Sequence, residues 1–162
     1  MLAAYYSKGC DSREMFSGFA IGKKEDFITH LNKYDVIHID IQWFLTNCDD
    51  IDNFVAFLTK SILNELKVIY PMVVTSEITT IPQALSNIRE KTGNKFIVII
   101  DEWDVIIRDE AAKEKVQEDY INFLRGMFKG VEPTKYIKLA YITGILPIKK
   151  EKTQSALNNF DE

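Results

Sequence analysis

Hydrophobic and polar positions along the chain predict three strands. Short runs rich in β-branched residues, each bounded by polar or turn residues, lie at 36–42, 96–100 and 137–143. The first run alternates between apolar and polar residues, whereas the second is continuously apolar. A continuous apolar run is typical of a strand that is buried on both faces of a parallel sheet. We therefore expect a core of about three parallel strands.

Helical spacing fills the interval after the first strand. Apolar residues recur at i, i+3, i+4 and i+7 in the segment 51–66. Asp49 or Asp50 is the expected N-cap of this helix, because a carboxylate there accepts from the unpaired backbone N–H groups of the first turn. The segment 70–78 follows neither period, and we predict a surface loop or a short extended insert there.

Two further helices are predicted, one on each side of the second strand. The helix before it spans 81–92, with Thr79 or Thr80 as its cap and Pro82 in its first turn, where a missing N–H does no harm. The helix after it covers 116–128, where apolar residues again recur at helical spacing. Strands that alternate with helices predict βαβ units with right-handed crossovers, and so an α/β fold.

Composition and charge narrow the classes of protein. The 162 residues are 46% hydrophobic and 27% charged, which predicts one domain over 1–162. Its 24 acidic and 20 basic residues are interspersed, which is not the footprint of a nucleic-acid-binding protein. Cys10 and Cys48 are too few for a disulfide framework, so we interpret them as structural thiols. The apolar N-terminus reaches a charge at Lys8, which predicts a cytoplasmic protein without a signal peptide or membrane contact.

The clearest candidate for chemistry follows the second predicted strand. The apolar residues at 96–100 are followed at once by Asp101 and Glu102, which is the form of a Walker B motif. A buried strand would place both carboxylates at its carboxyl end, where open α/β sheets bind ligands. There Asp101 would hold Mg²⁺, and Glu102 would polarise the water that attacks the γ-phosphate of ATP. The alternative is that the two acids cap a helix after the strand.

The third predicted strand ends in a hydroxyl that suits the same site. If this strand lies beside the second, Thr143 reaches the same end of the sheet as Asp101, the place of a residue that hydrogen-bonds the attacking water or the γ-phosphate. The alternative is that Thr143 serves only as a turn residue. Lys149 and Lys150 follow it, and either neutralise phosphate charge or lie solvated on the surface.

Four other polar residues need an interpretation: Asp104 and Asp40 each have two, and His30 and His38 each have one. Asp104 either supports the magnesium shell or caps the next segment, and Asp40 either points to the same end of the sheet or is a satisfied structural carboxylate. His30 and His38 have no partner in the sequence that suggests a metal site or a catalytic pair, so we interpret both as structural. The sequence contains no GxxxxGK[ST] phosphate loop.

Five motifs spread along the chain carry a resemblance to one family. They are YYSKGCDSREMF at 5–16, LNKYDVI at 31–37, IIDEWD at 99–104, TGILPIKK at 143–150 and SALNNF at 155–160. Together they resemble the predicted AAA-ATPase-like family of bacterial proteins, nearly from end to end. The resemblance implies a P-loop NTPase fold of the AAA or ASCE-like type, a three-layer sandwich, with ATP and Mg²⁺ as cofactors of the parent protein. It also implies Walker B roles for Asp101 and Glu102 and a sensor role for Thr143.

The family pattern extends beyond both ends of this sequence. In the family, a phosphate loop resembling Arg-Phe-Gly-Lys-Thr precedes the segment matching 1–6, and many members carry a PD-(D/E)XK nuclease-like domain after the segment matching 159–160. The resemblance therefore implies a partial domain, without the P-loop strand and the C-terminal remainder. We expect this chain to be inactive alone and to meet nucleic acid only through such a C-terminal domain.

The sheet order of the family has a consequence for association. The strand at 137–143 normally lies between the Walker B strand and the P-loop strand, so it would become an exposed apolar edge here. An exposed edge invites pairing with another chain, and we expect a homo-oligomer through 137–143. Besides an ATPase, two alternatives stay open: a nucleotide-dependent switch or interaction module, and a receiver-like signalling domain.

Overall fold

The computed structural model describes residues 1–147 together with 157 and 160. In chain order its elements are α1 (Leu2–Tyr6), α2 (Arg13–Ser17), α3 (Phe27–His30), β1 (Asp35–Asp40), α4 (Ile41–Thr46), α5 (Phe54–Ile69), α6 (Ile81–Thr92), β2 (Phe96–Asp101), α7 (Val105–Arg108), α8 (Glu114–Phe128), α9 (Pro133–Tyr136) and β3 (Ile137–Ile142), with 3₁₀ turns at Ala20–Lys23 and Ile51–Asn53.

The three strands form one parallel sheet in the order β1-β2-β3. Helices flank this sheet, so the predicted α/β fold with a parallel core of three strands is confirmed. Each parallel connection runs through helices, as it must when the chain returns to the same edge before it starts the next strand. All three carboxyl ends therefore lie at one edge of the sheet, and all three amino ends lie at the other.

The two faces of the sheet differ in how completely they are covered. Paired residues share a face. One face carries rows of apolar side chains such as Ile39, Ile100 and Ile142, which belong to or pack on the main core. On the opposite face Leu139 and Tyr141 are 41% and 46% exposed. The main helical layer therefore packs on one face, and part of the other face is open to solvent.

Long helices supply the main core. Their buried side chains repeat at helical spacing, which is why the sequence pattern identified them: Phe54, Leu58, Ile62 and Leu66 from α5, Ala84, Leu85 and Ile88 from α6, and Val116, Tyr120, Ile121, Leu124 and Met127 from α8. The segment 70–78 forms turns between α5 and α6, and its Val74 and Ile78 are buried in this core. The prediction of a surface loop was therefore wrong for these two apolar side chains, which fill space below the helices.

A second, smaller cluster lies at the N-terminal end of the chain. Tyr5, Phe16, Phe27 and Leu31 are buried together, and the Tyr5 hydroxyl donates to the carbonyl of Phe27 at 2.8 Å. An isolated parallel bridge between Ser7 and Tyr34 joins this cluster to the start of β1. The N-terminal helices are thereby tied to one edge of the sheet.

The first predicted strand is two residues too long at its carboxyl end. Strand β1 ends at Asp40, and Ile41 and Gln42 belong to α4. The physical reason is a cap: the Asp40 carboxylate accepts from the backbone N–H of Trp43 at 2.9 Å, which turns the chain directly into a helix. Thr143 follows β3 and still donates its backbone N–H to the carbonyl of Ile100 at 2.8 Å.

The structure decides between the alternative caps of α6, because Thr80 accepts from the N–H of Gln83. Asp50 accepts from the N–H of Asp52 and so caps the 3₁₀ turn that leads into α5, whereas α5 itself begins after Asn53. The predicted helix 81–92 is confirmed at both ends, where Gly93 has a φ of 78° that suits a C-cap glycine. Among the described residues, no helix has the length and apolar character needed to cross a bilayer.

Candidate functional site

Three neighbouring strands bring three polar side chains together at the carboxyl edge of the sheet. Asp101 lies at the end of β2, and the hydroxyl of Thr143, just after β3, donates a short hydrogen bond to its Oδ1. From β1, the His38 Nε2 lies 3.2 Å from Oδ2 of the same carboxylate. The two oxygens of Asp101 are therefore held from opposite neighbouring strands.

This environment keeps the Asp101 carboxylate ionised. The hydrogen bond from Thr143 lowers the pKa of Asp101 below its usual value, partial burial opposes that shift, and the contact with His38 adds to the lowering. The Asp101 side chain is 45% exposed, so a ligand can approach it from solvent. A charged oxygen with an open approach is the kind of ligand that Mg²⁺ prefers.

Glu102 adopts an unusual backbone conformation. Its φ is +54°, in the left-handed region that non-glycine residues visit at a cost of about 1 kcal/mol or more. Its carboxylate is ion-paired with the guanidinium of Arg108, with Oε2 and Nη2 3.2 Å apart. The following N–H, of Trp103, donates to the carbonyl of Thr143 at 2.9 Å, which holds the strained residue between two neighbouring segments.

Asp104 is a fully buried carboxylate that links the segment after β2 to the segment after β3 through hydrogen bonds. It accepts from the backbone N–H of Leu146 at 2.9 Å, from that of Ile145 at 3.3 Å, and from Nε of Arg108 at 2.7 Å. Burial raises the pKa of Asp104, but these hydrogen bonds outweigh burial and hold the pKa below its usual value. Asp104 occupies the N-cap position of α7 but its side chain makes no capping hydrogen bond, so the interpretation of Asp104 as a cap holds for its position only.

The turn after β3 approaches the side chains of Asp104 and Trp103 so closely that only glycine fits at position 144. A Cβ on Gly144 would lie 2.5 Å from Oδ1 of Asp104 and 2.5 Å from Cδ1 of Trp103. Trp103 is itself buried, and its carbonyl accepts from the Tyr120 hydroxyl at 2.8 Å. Burial raises the pKa of Tyr120, so this hydroxyl stays a donor. The position of Thr143 thus depends on close packing behind it.

The other predicted site residues fall into different places. Lys149 and Lys150 lie outside the described residues. Asp40 is in register with Asp101 at the same edge, where its carboxylate caps α4, so both interpretations given to it hold in part. His30 contacts the hydroxyl of Tyr34 at 2.7 Å, consistent with its structural interpretation.

His38 is the site residue that sequence reasoning missed. It was interpreted as structural because no partner stands near it in the sequence, and its partner Asp101 lies 63 positions away. One signal was present: the alternation of the first predicted strand puts His38 on the same face as Asp40. Only the register of β1 against β2 shows that this face is the one that carries Asp101.

Among the residues that the structure describes, no three His, Cys, Asp or Glu side chains are grouped as a metal site. Asp101 could ligate a metal through its carboxylate, and because no group of three such side chains is present among the described residues, water or groups from elsewhere would have to complete the coordination shell. The site therefore suits a hard cation held by few protein ligands, which is how Mg²⁺ is usually bound beside phosphates.

A parallel α/β sheet with polar side chains gathered at its carboxyl edge belongs to the class of open α/β proteins that bind ligands there. The family model described as Predicted AAA-ATPase matches residues 1–153, and this chain belongs to that AAA-ATPase-like family. The searches found no significant match to a curated protein or to a solved structure. The family membership therefore rests on the sequence match and agrees with the observed fold class.

Proposed function

We propose that this chain supplies the acidic half of an ATP–Mg²⁺ site and that the protein to which this half belongs is an ATP hydrolase. The observation that carries the proposal is the Asp101 carboxylate, ionised, open to solvent and held by Thr143 on one side and His38 on the other. Family membership supports an ATPase-like domain in general. The roles of individual residues follow from their positions.

Each residue of the acidic half has a distinct role in this proposal. Asp101 holds Mg²⁺ directly or through water, and the metal would neutralise charge on the phosphates. Glu102 polarises the water that attacks the γ-phosphate, which requires its carboxylate to leave Arg108. Thr143 fixes the orientation of Asp101 and can offer its hydroxyl to the γ-phosphate.

A phosphate loop has to come from residues other than these 162. The sequence contains no glycine-rich phosphate loop, and such a loop supplies the backbone N–H groups and the lysine that cradle a triphosphate. We therefore expect this chain to bind ATP–Mg²⁺ weakly and to hydrolyse it no faster than background. Calorimetric titration of ATP with Mg²⁺ and a phosphate-release assay measure both quantities, and turnover by this chain alone would contradict the expectation.

A second candidate is a nucleotide-dependent switch or protein-interaction module without significant turnover. The ion pair between Glu102 and Arg108 favours it, because it occupies the carboxylate that hydrolysis would need. The substitution Glu102→Gln separates the two candidates in any form of the protein that binds ATP. An enzyme should lose roughly a hundredfold or more of its turnover, whereas a switch should keep its affinity for ATP and for its partner.

The metal role of Asp101 can be tested on this chain directly. We expect Mn²⁺, as a spectroscopic substitute for Mg²⁺, to bind weakly to the wild-type chain and to lose at least about tenfold in affinity in Asp101→Asn. Asp40→Asn is the matched control, because it removes the same charge from the same edge while Asn still caps α4.

Electron paramagnetic resonance of free Mn²⁺ gives both affinities. Equal losses in the two variants would mean that the metal only responds to the general negative charge of this edge. Absence of Mn²⁺ binding by the wild-type chain at millimolar metal would contradict the proposed role of Asp101.

A further inference from the structure

A polar pocket lies at the opposite end of the sheet from Asp101, beside the amino ends of the strands. It has a volume of about 370 Å³, and Lys8, Lys33, Lys95 and Lys138 contribute to its lining. Asp35 is the one acid among its described lining residues. We call it the lysine pocket. It is separated from Asp101 by the length of the strands, so it belongs to a different site.

The fold brings these lysines together from distant parts of the chain. Lys33 follows Asn32, whose φ of 54° turns the chain into β1, and Lys95 follows the Gly93 turn, with a φ of 78°, that leads into β2. Lys138 is the second residue of β3. Because the strands are parallel, their amino ends meet at one edge, and each contributes a lysine to it.

The single acid does not balance this charge. The Asp35 carboxylate is 10% exposed, forms an ion pair with Lys8 at 2.6 Å and accepts from the amide of Asn94 at 3.0 Å. The Asp35 carboxylate is therefore bonded to two other residues of the pocket lining, and its charge neutralises one lysine, Lys8. Three positive charges remain in a chain whose net charge is −4.

The remaining lysines have no acidic partner within the described part of the chain. The Lys95 ammonium donates to the carbonyl of Thr134 at 2.8 Å, a neutral acceptor that fixes its position. Lys33 and Lys138 form no ion pair with any described residue. Like charges held in a concave site repel one another, and an anion with several acceptor oxygens would relieve that repulsion.

We propose that the lysine pocket binds a phosphate-bearing ligand. Ammonium groups bind phosphate as point charges, and three lysines without an acidic partner among the described residues line this polar cavity. The volume lies near the lower end of the range of small-molecule pockets, roughly 300–1,000 Å³. The phosphate group could belong to a free polyphosphate or to the backbone of a nucleic-acid strand, which share the chemistry that this pocket recognises.

Inorganic pyrophosphate is the probe that tests the proposal. It is titrated into the chain at low salt in the presence of a chelator, so that the acidic Asp101 site cannot retain it through a metal. The double substitution Lys33→Gln and Lys138→Gln removes two unpaired charges and leaves the Lys8–Asp35 ion pair intact. We expect the affinity for pyrophosphate to fall by roughly tenfold or more in this variant.

The matched control is the double substitution Lys60→Gln and Lys67→Gln on α5, which removes the same net charge from exposed lysines that do not line the pocket. It should leave pyrophosphate affinity nearly unchanged, and melting temperatures should show that both variants fold. A short single-stranded oligonucleotide in a parallel titration identifies the source, because a nucleic-acid site binds it at least as tightly as pyrophosphate. Equal losses in both double variants, or no binding of either probe to the wild-type chain, would overturn the proposal.

Discussion

At the scale of single residues, the candidate site depends on contacts that are unusually close. Glu102 holds a left-handed backbone, Asp104 is a carboxylate without solvent exposure, and Gly144 has no room for a side chain. Each is costly alone, and each is stabilised by the others through hydrogen bonds between the segments after β2 and β3. The geometry around Asp101 thus depends on the turns that follow β2 and β3.

Replacement of Gly144 by alanine tests this packing. The added Cβ would overlap Asp104 and Trp103, so we expect Gly144→Ala to lower the free energy of unfolding by about 2 kcal/mol. Chemical denaturation followed by tryptophan fluorescence measures the change. Gly126→Ala is the control, because Gly126 lies in α8 with nothing within 4 Å of its Cβ position, and alanine should stabilise that helix by about 0.5–1 kcal/mol. Equal effects of the two substitutions would contradict the role given to Gly144.

At the scale of elements, caps decide where strands give way to helices. Asp40 ends β1 and starts α4 at one residue, because its carboxylate replaces the first missing hydrogen-bond partner of the helix. The same physics starts α6 at Thr80, and Gly93 ends that helix before β2 begins. Sequence periodicity located α6 to within a few residues, but it did not choose between the neighbouring candidate caps of α6 and did not predict α4.

The choice between Thr79 and Thr80 can be measured. Only the Thr80 hydroxyl accepts from the backbone N–H of Gln83, so Thr80→Ala should destabilise the protein by about 1 kcal/mol. Thr79→Ala is the matched control and should change stability by less than about 0.5 kcal/mol. Thermal unfolding of both variants gives the comparison, and a larger effect at Thr79 would show that the cap is assigned to the wrong threonine.

At the scale of the whole molecule, the two outer strands of the sheet, β1 and β3, differ in how they are covered. Next to the start of β1, Ser7 forms a bridge with Tyr34. The outer side of β3 pairs with no other strand in the described part of the chain, and Leu139 and Tyr141 of this strand are substantially exposed. An open strand edge with apolar side chains is a site of association between chains.

We expect this chain to self-associate through β3. Light scattering coupled to size exclusion should show a dimer at high micromolar concentration, and Leu139→Lys should restore the monomer because a lysine on an edge strand opposes strand pairing. Val68→Lys is the control, since Val68 is 82% exposed on α5, away from this edge, and its substitution should leave the dimer intact. A monomeric wild-type chain at that concentration would contradict the expectation.

Much of the fold could be predicted because it is encoded locally. The apolar run of β2 and the helical spacing of α5, α6 and α8 report burial at each position, and burial follows the period of the element. The acids after β2 were identifiable for the same reason, because a buried strand delivers its last residues to one edge of a parallel sheet. Thr143 was placed beside Asp101 by that argument, and the structure brings the two together.

The rest was decided by tertiary structure. His38 meets Asp101 across 63 positions, and Asp104 binds Leu146 across 42, so both contacts depend on strand register and on the paths of the turns rather than on any local pattern. The lysine pocket likewise gathers side chains that precede different strands. By itself the sequence determined the three strands, the three long helices, the α/β class and the acidic residues after β2, because local periodicity records burial. Only the folded sheet determined which distant polar groups hold that acid and which positive charges face one another at the opposite edge.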